Sequence, residues 1–180
     1  MIMTTAQVVQ QLKEKFEGAI LDEIVFKGET TVEVHKEELK DILGFLRAGV
    51  DSKYDVLMDL TAVDYLFPIK RTQIHYFLHN PTSLERIRII VSIERSERIP
   101  SVADLWRGAN WFERELFDMF GVHFEGHPDL SRILMPDDWR GHPMLRDYAL
   151  TEEPVQFKHD VKPKVPSQII SYDKSRQRVS

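Results

Sequence analysis

The sequence predicts an α+β fold: a two-layer sandwich of the order αββαβββ, followed by a further helix and a long extended C-terminal arm. In the first two thirds of the chain, segments with apolar residues at helical spacing are interspersed with runs of strand-like alternation. Six of the nine prolines follow residue 121, where the regular periodicity fades. Because proline fixes φ and lacks a backbone donor, that region is expected to be extended and irregular.

The first elements are two helices separated by a β-hairpin. One helix is expected over residues 5–17 and the other within residues 36–49, where Gly49 suits a C-terminal cap. Between them, two short strands flank Gly28-Glu29, a pair suited to a hairpin turn. The apolar positions that define the helices are Val8, Val9, Leu12 and Phe16 in the first and Leu39, Ile42, Leu43 and Leu46 in the second.

Three strand-like runs follow, with the sequences YDVLMDLTAVDYL, TQIHYFLHN and ERIRIIVSIER. Pro68 and Asn80-Pro81 mark the turns between them. The third run alternates most clearly, which indicates a strand with one buried face. That face is expected to consist of Ile87, Ile89, Val91 and Ile93. Together these elements predict one sheet with helices on one of its faces.

A long helix is expected over residues 101–120. Ser101 is suited to cap its N-terminus, with Asp104 three residues later in an approximate capping box. Gly121 is suited to the position that follows the last turn. This helix closes the expected α+β core domain, residues 1–121.

Residues 122–180 form the expected C-terminal region. They carry many apolar side chains, among them Phe124, Ile133 and Trp139, whose exposure to water is unfavourable. Too little regular structure is predicted here for a second core. We therefore expect this region to wrap first its own domain and then partner proteins.

The composition argues against several classes of protein. The net charge of -5 argues against a nucleic-acid binder, which usually has a basic excess. No apolar run reaches the length of about 18 residues that a membrane span needs, and the N-terminus lacks the pattern of a signal peptide. The absence of cysteine removes the thiolate ligands of iron–sulfur clusters and structural zinc. Neither a Gly-x-Ser-x-Gly elbow nor a Gly-rich phosphate loop occurs.

Residues 111–136, WFERELFDMFGVHFEGHPDLSRILMP, carry acids, bases, aromatics and histidines at high density. Glu115 and Asp118 share one face of the predicted helix, and Glu113 projects elsewhere. Arg114 and Asp118 can pair at i,i+4. Since a few helical charges signal catalysis only weakly, these carboxylates are expected to form a solvated or interfacial face. A general acid–base pair is the alternative.

The histidines of this segment raise the alternative of a metal site. Gly126 and Pro128 break the strand that would present the ligands together, and the spacing matches no known metal site. We expect His127 instead to fix the His-Pro turn, or to be buried with both ring nitrogens hydrogen-bonded. The four side chains considered as ligands are His123, Glu125, His127 and Asp129.

The segment WFERELFDMFGVHFEGHPDLSRILMPDDWRGHPMLRDY closely resembles the signature of the thirty-kilodalton subunit, or C subunit, of proton-pumping NADH:quinone oxidoreductase, respiratory complex I. The upstream order of elements is consistent with the same family. Two departures stand out. Ser131 occupies a position where the family usually has Arg, and Leu145-Arg146 replaces a usual Arg-Lys pair.

The resemblance implies a non-catalytic structural and assembly subunit of the peripheral arm. It implies no catalytic residue, flavin, iron–sulfur cluster or metal on this chain; the flavin and the clusters belong to partner subunits. The implied partners are the quinone-site large subunit and neighbouring iron–sulfur subunits. The chain would meet the membrane only through the complex, on its cytoplasmic side. Electron transfer from NADH to quinone, coupled to proton translocation, is then a property of the assembly.

The dense segment is accordingly expected to be an assembly surface, with arginines that pair with partner carboxylates. Its aromatic side chains are expected to act as buried anchors, namely Trp111, Phe117, Trp139 and Tyr148. Replacing Arg132 or Asp147 by alanine is then expected to weaken assembly more than folding. The arginines are Arg114, Arg132, Arg140 and Arg146. The residues assigned to the signature and partner interface are Glu113, Arg114, Glu115, Asp118, Phe120, Gly121, Phe124, His127, Pro128, Arg132, Trp139, Asp147 and Tyr148.

Two other functions stay open at this point. An equivalent subunit could serve a related membrane-bound hydrogenase or a quinone oxidoreductase that uses another donor. A free-standing metal-dependent or acid–base enzyme would need perturbed groups in a cleft, drawn from Glu113, Glu115 or His127.

Overall fold

The computed structural model describes residues 4–49, 53–66 and 71–149. The expectations for residues beyond 149, which include much of the C-terminal arm, lie outside the described residues. The elements are α1 (Thr5–Lys15), β1 (Ile20–Phe26), β2 (Glu29–Val34), α2 (Leu39–Gly44) continued by a π-helical turn (Phe45–Gly49), β3 (Val56–Tyr65), β4 (Arg71–His79), β5 (Arg86–Glu94), β6 (Arg98–Pro100), α3 (Ala109–Phe120) and β7 (His123–Glu125).

Five strands form the main sheet, in the order β1-β2-β5-β4-β3. β2 and β5 are parallel, and every other neighbouring pair in this sheet is antiparallel. The predicted hairpin and the three later strands are confirmed, with the hairpin turn at Lys27-Gly28, one residue earlier than expected. β6 and β7 form a separate parallel pair that no predicted element anticipates, because strands of three residues carry no measurable periodicity.

One face of the sheet packs against the helices, which confirms the two-layer α+β sandwich. Ile74 of β4 and Ile89 of β5 are completely buried with Leu12 of α1 and Ile42 of α2 in one apolar cluster. Successive side chains of a strand point to opposite faces, so the intervening residues lie on the other side of the sheet. That face carries polar side chains such as Arg88, which is only partly buried. The predicted inner face of β5 comprises Ile87, Ile89, Val91 and Ile93, all buried.

The prediction of a helix over residues 101–120 is wrong at its start, because α3 begins at Ala109 and turns precede it. The Ser101 side chain caps no helix. Its backbone N–H donates to the carbonyl of Glu125 at 2.8 Å, and its hydroxyl donates to the Glu113 carboxylate at 2.6 Å. These bonds hold the segment against β7 and α3. The predicted end is confirmed, since Gly121 follows α3 in the left-handed conformation with φ of 75°.

The described chain after β7 runs back over its own domain. The N–H of Met144 donates to the carbonyl of Met119 at 3.0 Å, and the N–H of Arg146 donates to the Asp64 carboxylate at 2.9 Å. The division of the chain at residue 121 stays a prediction. Within the residues that the structure describes, no helix is both long enough and apolar enough to cross a membrane.

Candidate functional site

Glu113 lies completely buried near the centre of α3. Its carboxylate accepts the Ser101 hydroxyl at 2.6 Å and the Val102 N–H at 2.7 Å. Burial raises the pKa of Glu113 to about 7, since these two donors only partly replace the lost water. The expectation of a solvated or interfacial carboxylate is therefore wrong for Glu113, whose donors belong to its own chain.

The ring of His127 is buried beside Glu113. Its Nε2 donates to the carbonyl of Asn110 at 3.2 Å, and its Nδ1 accepts the N–H of Asp129 at 3.1 Å. A carbonyl can only accept and a backbone N–H can only donate, so Nε2 carries the proton of this hydrogen bond and Nδ1 is the acceptor. The Glu113 carboxylate lies 3.9 Å from Nε2, outside hydrogen-bond distance. Both alternatives expected for His127 are found: it fixes the His-Pro turn through the N–H of Asp129, and it is buried with both ring nitrogens hydrogen-bonded.

Asp118 is also completely buried, but donors surround its carboxylate. Oδ2 accepts the backbone N–H groups of Ile133, Leu134 and Met135 at 3.2, 2.8 and 2.8 Å. Oδ1 accepts the Arg132 guanidinium at 2.6 Å. Burial by itself would raise the pKa of Asp118, but the backbone donors and Arg132 hold that pKa below its ordinary value. A solvated or interfacial Asp118 is therefore ruled out as well.

Arg132 joins α3 to residues 139–141 of its own chain. Besides the Asp118 carboxylate, its guanidinium donates to the carbonyls of Trp139 and Gly141 at 3.2 and 3.1 Å. Both Nη groups of Arg132 are bound to acceptors of its own chain, and the pairing of Arg132 with a partner carboxylate stays a prediction. These bonds change the expectation for Arg132→Ala. Their loss is now expected to impair folding of the loop after β7.

Arg114 supports the same loop from one turn earlier on the same face of α3. Its guanidinium donates to the carbonyls of Ser131 and Arg132 at 3.0 and 3.2 Å and lies 5.0 Å from the Trp111 ring. The expected i,i+4 pair with Asp118 is not formed, because Arg132 occupies that carboxylate. Ser131 contributes only its backbone carbonyl to Arg114, so this contact does not depend on the side chain at position 131.

Gly121 allows a close approach between α3 and the later loop. A Cβ at this position would lie 2.7 Å from the His142 ring. The His142 Nδ1 donates to the carbonyl of Asp118 at 3.0 Å, and the ring packs edgewise on Phe117. Burial lowers the pKa of His142, so the ring is neutral at pH 7.

A second charged cluster, at the C-terminal end of β3, was not predicted from the sequence. Arg95 forms an ion pair with the buried Asp64 and donates to both carboxylate oxygens of Asp147 at 2.9 Å. The three residues are far apart in the chain, so no local pattern relates them. Asp147, assigned to a partner interface, thus pairs within its own chain, and so does the backbone of Arg146.

The other residues assigned to the interface divide by burial. Phe120, Phe124 and Trp139 are buried in their own domain, which corrects the expectation that Trp139 is a partner anchor. Tyr148 is half-buried and approaches Gly141, where a Cβ would lie 3.1 Å from its ring. Glu115, Pro128 and Arg140 are exposed.

An exposed apolar rim remains on α3 and the loops after it. Trp111, Leu134 and Met144 are 62%, 61% and 55% exposed. Trp111 and Pro128 line an open depression of about 600 Å³. Exposed aromatic side chains of this kind are enriched at protein interfaces. In the described residues, no group of three or more His, Cys, Asp and Glu could hold a metal ion.

The chain is thus an α+β protein in which buried charged side chains bind α3 to the neighbouring loops. The exposed apolar rim lies on α3 and the loops after it. The chain belongs to the family described as respiratory-chain NADH dehydrogenase, 30 Kd subunit, whose model matches residues 32–154. The resemblance of the signature segment to this family is thereby confirmed.

Individual relatives agree with the family. The chain is 41% identical to the C subunit of NADH-quinone oxidoreductase from Roseiflexus sp. (strain RS-1), over 87% of this chain and 91% of the relative. It is 44% and 43% identical to proteins of the same name from Citrifermentans bemidjiense and Geobacter sulfurreducens, over 80% of this chain and 89% of each relative.

A solved structure shares the fold. A chain in the structure of the membrane-bound sulfane sulfur reductase, an archaeal respiratory membrane complex, superimposes with a TM-score of 0.63. The match covers 74% of this chain and 77% of the other at 24% identity, which shows the fold alone.

Proposed function

We propose that this chain is the C subunit of a NADH-quinone oxidoreductase and acts as a structural and assembly subunit of its peripheral arm. In this role it lies on the cytoplasmic side of the membrane and supports electron transfer from NADH to quinone, which is coupled to proton translocation. The observation that carries the proposal is the identity of 41–44% to proteins of that name over 80–87% of the chain.

The proposed role is non-catalytic, with flavin and iron–sulfur clusters on partner subunits. Two features support it. The side chains best suited to acid–base chemistry are buried, and their polar atoms form hydrogen bonds within the chain; they are Glu113, Asp118 and His127. The sequence contains no cysteine, the usual ligand of such clusters.

The proposed partner-binding face is the exposed apolar rim formed by Trp111, Leu134 and Met144. Arg114 stacks on Trp111 and is itself tied to the following loop, so the indole is held before a partner arrives. Preorganisation of this kind lowers the ordering cost of association. The proposed occupants are the quinone-site large subunit and neighbouring iron–sulfur subunits.

Purification of the tagged chain from its host tests the proposal. The chain is expected to bring down flavoprotein and iron–sulfur subunits with NADH:quinone activity. Recovery as a solitary monomer, with the activity left in an intact complex elsewhere, contradicts it. If hydrogenase subunits or another electron-input module co-purify instead, the chain serves the alternative complex; the fold shared with the sulfane sulfur reductase is compatible with either.

Trp111→Ser tests the partner-binding face directly. The indole is exposed, so its loss leaves folding of the chain nearly unchanged, whereas an interfacial tryptophan commonly contributes about 2 kcal/mol or more to binding, roughly thirtyfold in affinity. The matched control is Leu84→Ser, at a side chain that is 73% exposed in the turn between β4 and β5. Assembled complex is measured on native gels. Equal amounts for the two variants would show that Trp111 does not lie in the interface.

A further inference from the structure

The edge strand β1 exposes more apolar surface than a free edge usually does. Four of its seven residues, ILDEIVF, are large apolar side chains more than half exposed. Val25 and Phe26 reach 65% and 68%. Among the described residues β1 pairs only with β2, so on its other edge the N–H and C=O groups have no strand partner there. Natural edge strands are usually shortened, charged or interrupted by proline, because such an edge otherwise recruits further strands.

The geometry leaves this edge suited to strand addition. The only irregularity in the β1–β2 register lies at its start, between Ile20 and Asp22, and the pairing then continues without a break to Phe26. Ile24 and Phe26 stand on the sheet face that carries Arg88, away from the helices. Val25 is on the other face but beyond the cover that the helices provide.

The charges on the edge indicate what would pair with it. Glu23 is paired with Lys13 at 2.6 Å. The Asp22 carboxylate accepts the N–H of Glu23 at 2.8 Å and has no cationic partner among the described residues. A strand with a cation opposite Asp22 and apolar side chains opposite Ile24 and Phe26 therefore complements the edge. A second copy of β1 supplies no strand-borne cation, since Lys27 lies in the turn.

We propose that the free edge of β1 is a docking site for an extended segment of another subunit, apolar opposite Ile24–Phe26 and basic opposite Asp22. The backbone of that segment would extend the five-stranded sheet by a sixth strand. The partner's identity as another subunit rests on the proposed function. The site itself is separate from the apolar rim on α3.

Single cysteines test the proposal, because the chain has no cysteine of its own. The Phe26→Cys and Ile24→Cys variants are each labelled with a maleimide in the purified complex and in the free full-length chain. We expect labelling in the complex to be at least tenfold slower than in the free chain. Equal labelling rates in the two states would overturn strand docking.

A maleimide–benzophenone reagent on the thiol of the Phe26→Cys variant then identifies the occupant by mass spectrometry. A cross-linked peptide from a different subunit, apolar with a Lys or Arg, supports the proposal, and a cross-link to a second copy of β1 overturns it. The two proposals fail separately. If the chain co-purifies with the other subunits but the introduced thiol stays fully reactive, only strand docking is wrong; if it co-purifies with none, the assembly function is wrong.

An assembly experiment gives an independent readout. Paired Ile24→Lys and Phe26→Lys substitutions place two cations where apolar contact is proposed and are expected to lower the yield of complex at least tenfold. Leu84→Lys, on another exposed apolar side chain, is the control. Yields equal to the control would contradict the proposal.

Discussion

Glu113 and Asp118 are two carboxylates of one helix whose surroundings give them opposite protonation behaviour. Asp118 receives three backbone N–H groups and a guanidinium, so the charged form is stabilised. Glu113 receives one hydroxyl and one N–H in a completely buried position, so the charged form is disfavoured. The number of donors, and their charge, decides between these outcomes. Both residues serve the architecture that presents the α3 surface.

Glu113→Gln is expected to change the pH dependence of stability. The folded state raises the pKa of Glu113 from 4.5 to about 7, so the folded chain binds this proton more tightly than the unfolded chain. Stability therefore falls as pH rises from about 4.5 to about 7 and stays lowered above that. As the pH rises from 5 to 8, the free energy of unfolding of the Glu113→Gln variant should therefore increase by about 2–3 kcal/mol relative to that of the wild type. Urea unfolding at several pH values measures this, and parallel curves would refute it.

Arg132→Lys is expected to destabilise the fold by about 2 kcal/mol. A lysine can retain one contact to Asp118, but its single ammonium cannot also reach both carbonyl acceptors, and each lost hydrogen bond costs about 1 kcal/mol. Arg140→Lys is the control at an exposed arginine of the same loop, where an effect within about 0.5 kcal/mol is expected. Equal unfolding midpoints for the two variants would show that the guanidinium geometry is unimportant.

The burial of Glu113 had a signal in the sequence. Ala109, Leu116 and Phe120 stand four residues before it and three and seven after it, so Glu113 lies on the apolar stripe of the helix. A carboxylate on that stripe is expected to be buried. Asp118 offers no such signal, because its donors come from a loop whose return to α3 depends on tertiary structure.

At the scale of elements, long-range bonds override local patterns. The Ser101–Asp104 pattern resembles a capping box, yet the Ser101 hydroxyl reaches twelve residues ahead to Glu113. Local propensity therefore placed the start of α3 eight residues too early. The end of the helix was predictable because a glycine after an apolar stripe acts locally, through a left-handed backbone that other residues adopt at a cost.

Gly121→Ala tests how closely α3 meets the loop after it. Alanine must adopt a φ of 75° and place its Cβ 2.7 Å from the His142 ring. Gly126→Ala is a matched control, since its φ is 79° but nothing lies within 4 Å of a Cβ there. Both variants carry the backbone penalty of about 1 kcal/mol, and only Gly121→Ala adds the clash. Thermal unfolding should therefore rank Gly121→Ala as the less stable, and the opposite order would contradict the packing described.

At the scale of the whole molecule, the sandwich was predictable because alternation in β5 and helical spacing in α1 and α2 are local readouts of one shared core. The order of the strands was less predictable, because the parallel β2–β5 pair joins strands more than fifty residues apart in the chain. The clasp of Asp64, Arg95 and Asp147 was not predictable at all. Its members pair across separations of 31 and 52 residues, with no pattern in between.

Arg95→Met tests whether that clasp holds the C-terminal region on the domain. Arg95 joins the buried Asp64 to Asp147, and the N–H of Arg146 also binds Asp64. Removing one partner of a buried pair costs about 3–5 kcal/mol, and the loss should fall mainly on the segment that is pinned there. Trypsin should then cleave after Arg146 at least tenfold faster.

The exposed Arg98 of β6 provides the control, and Arg98→Met should leave this cleavage rate unchanged. Cleavage after Arg88, within the central strand β5, separates the two explanations of a faster rate. If both sites accelerate together, Arg95 stabilises the whole domain. If only the site after Arg146 does, the ion pairs act as a local tether, which is the expected result because the sheet keeps its apolar core without them.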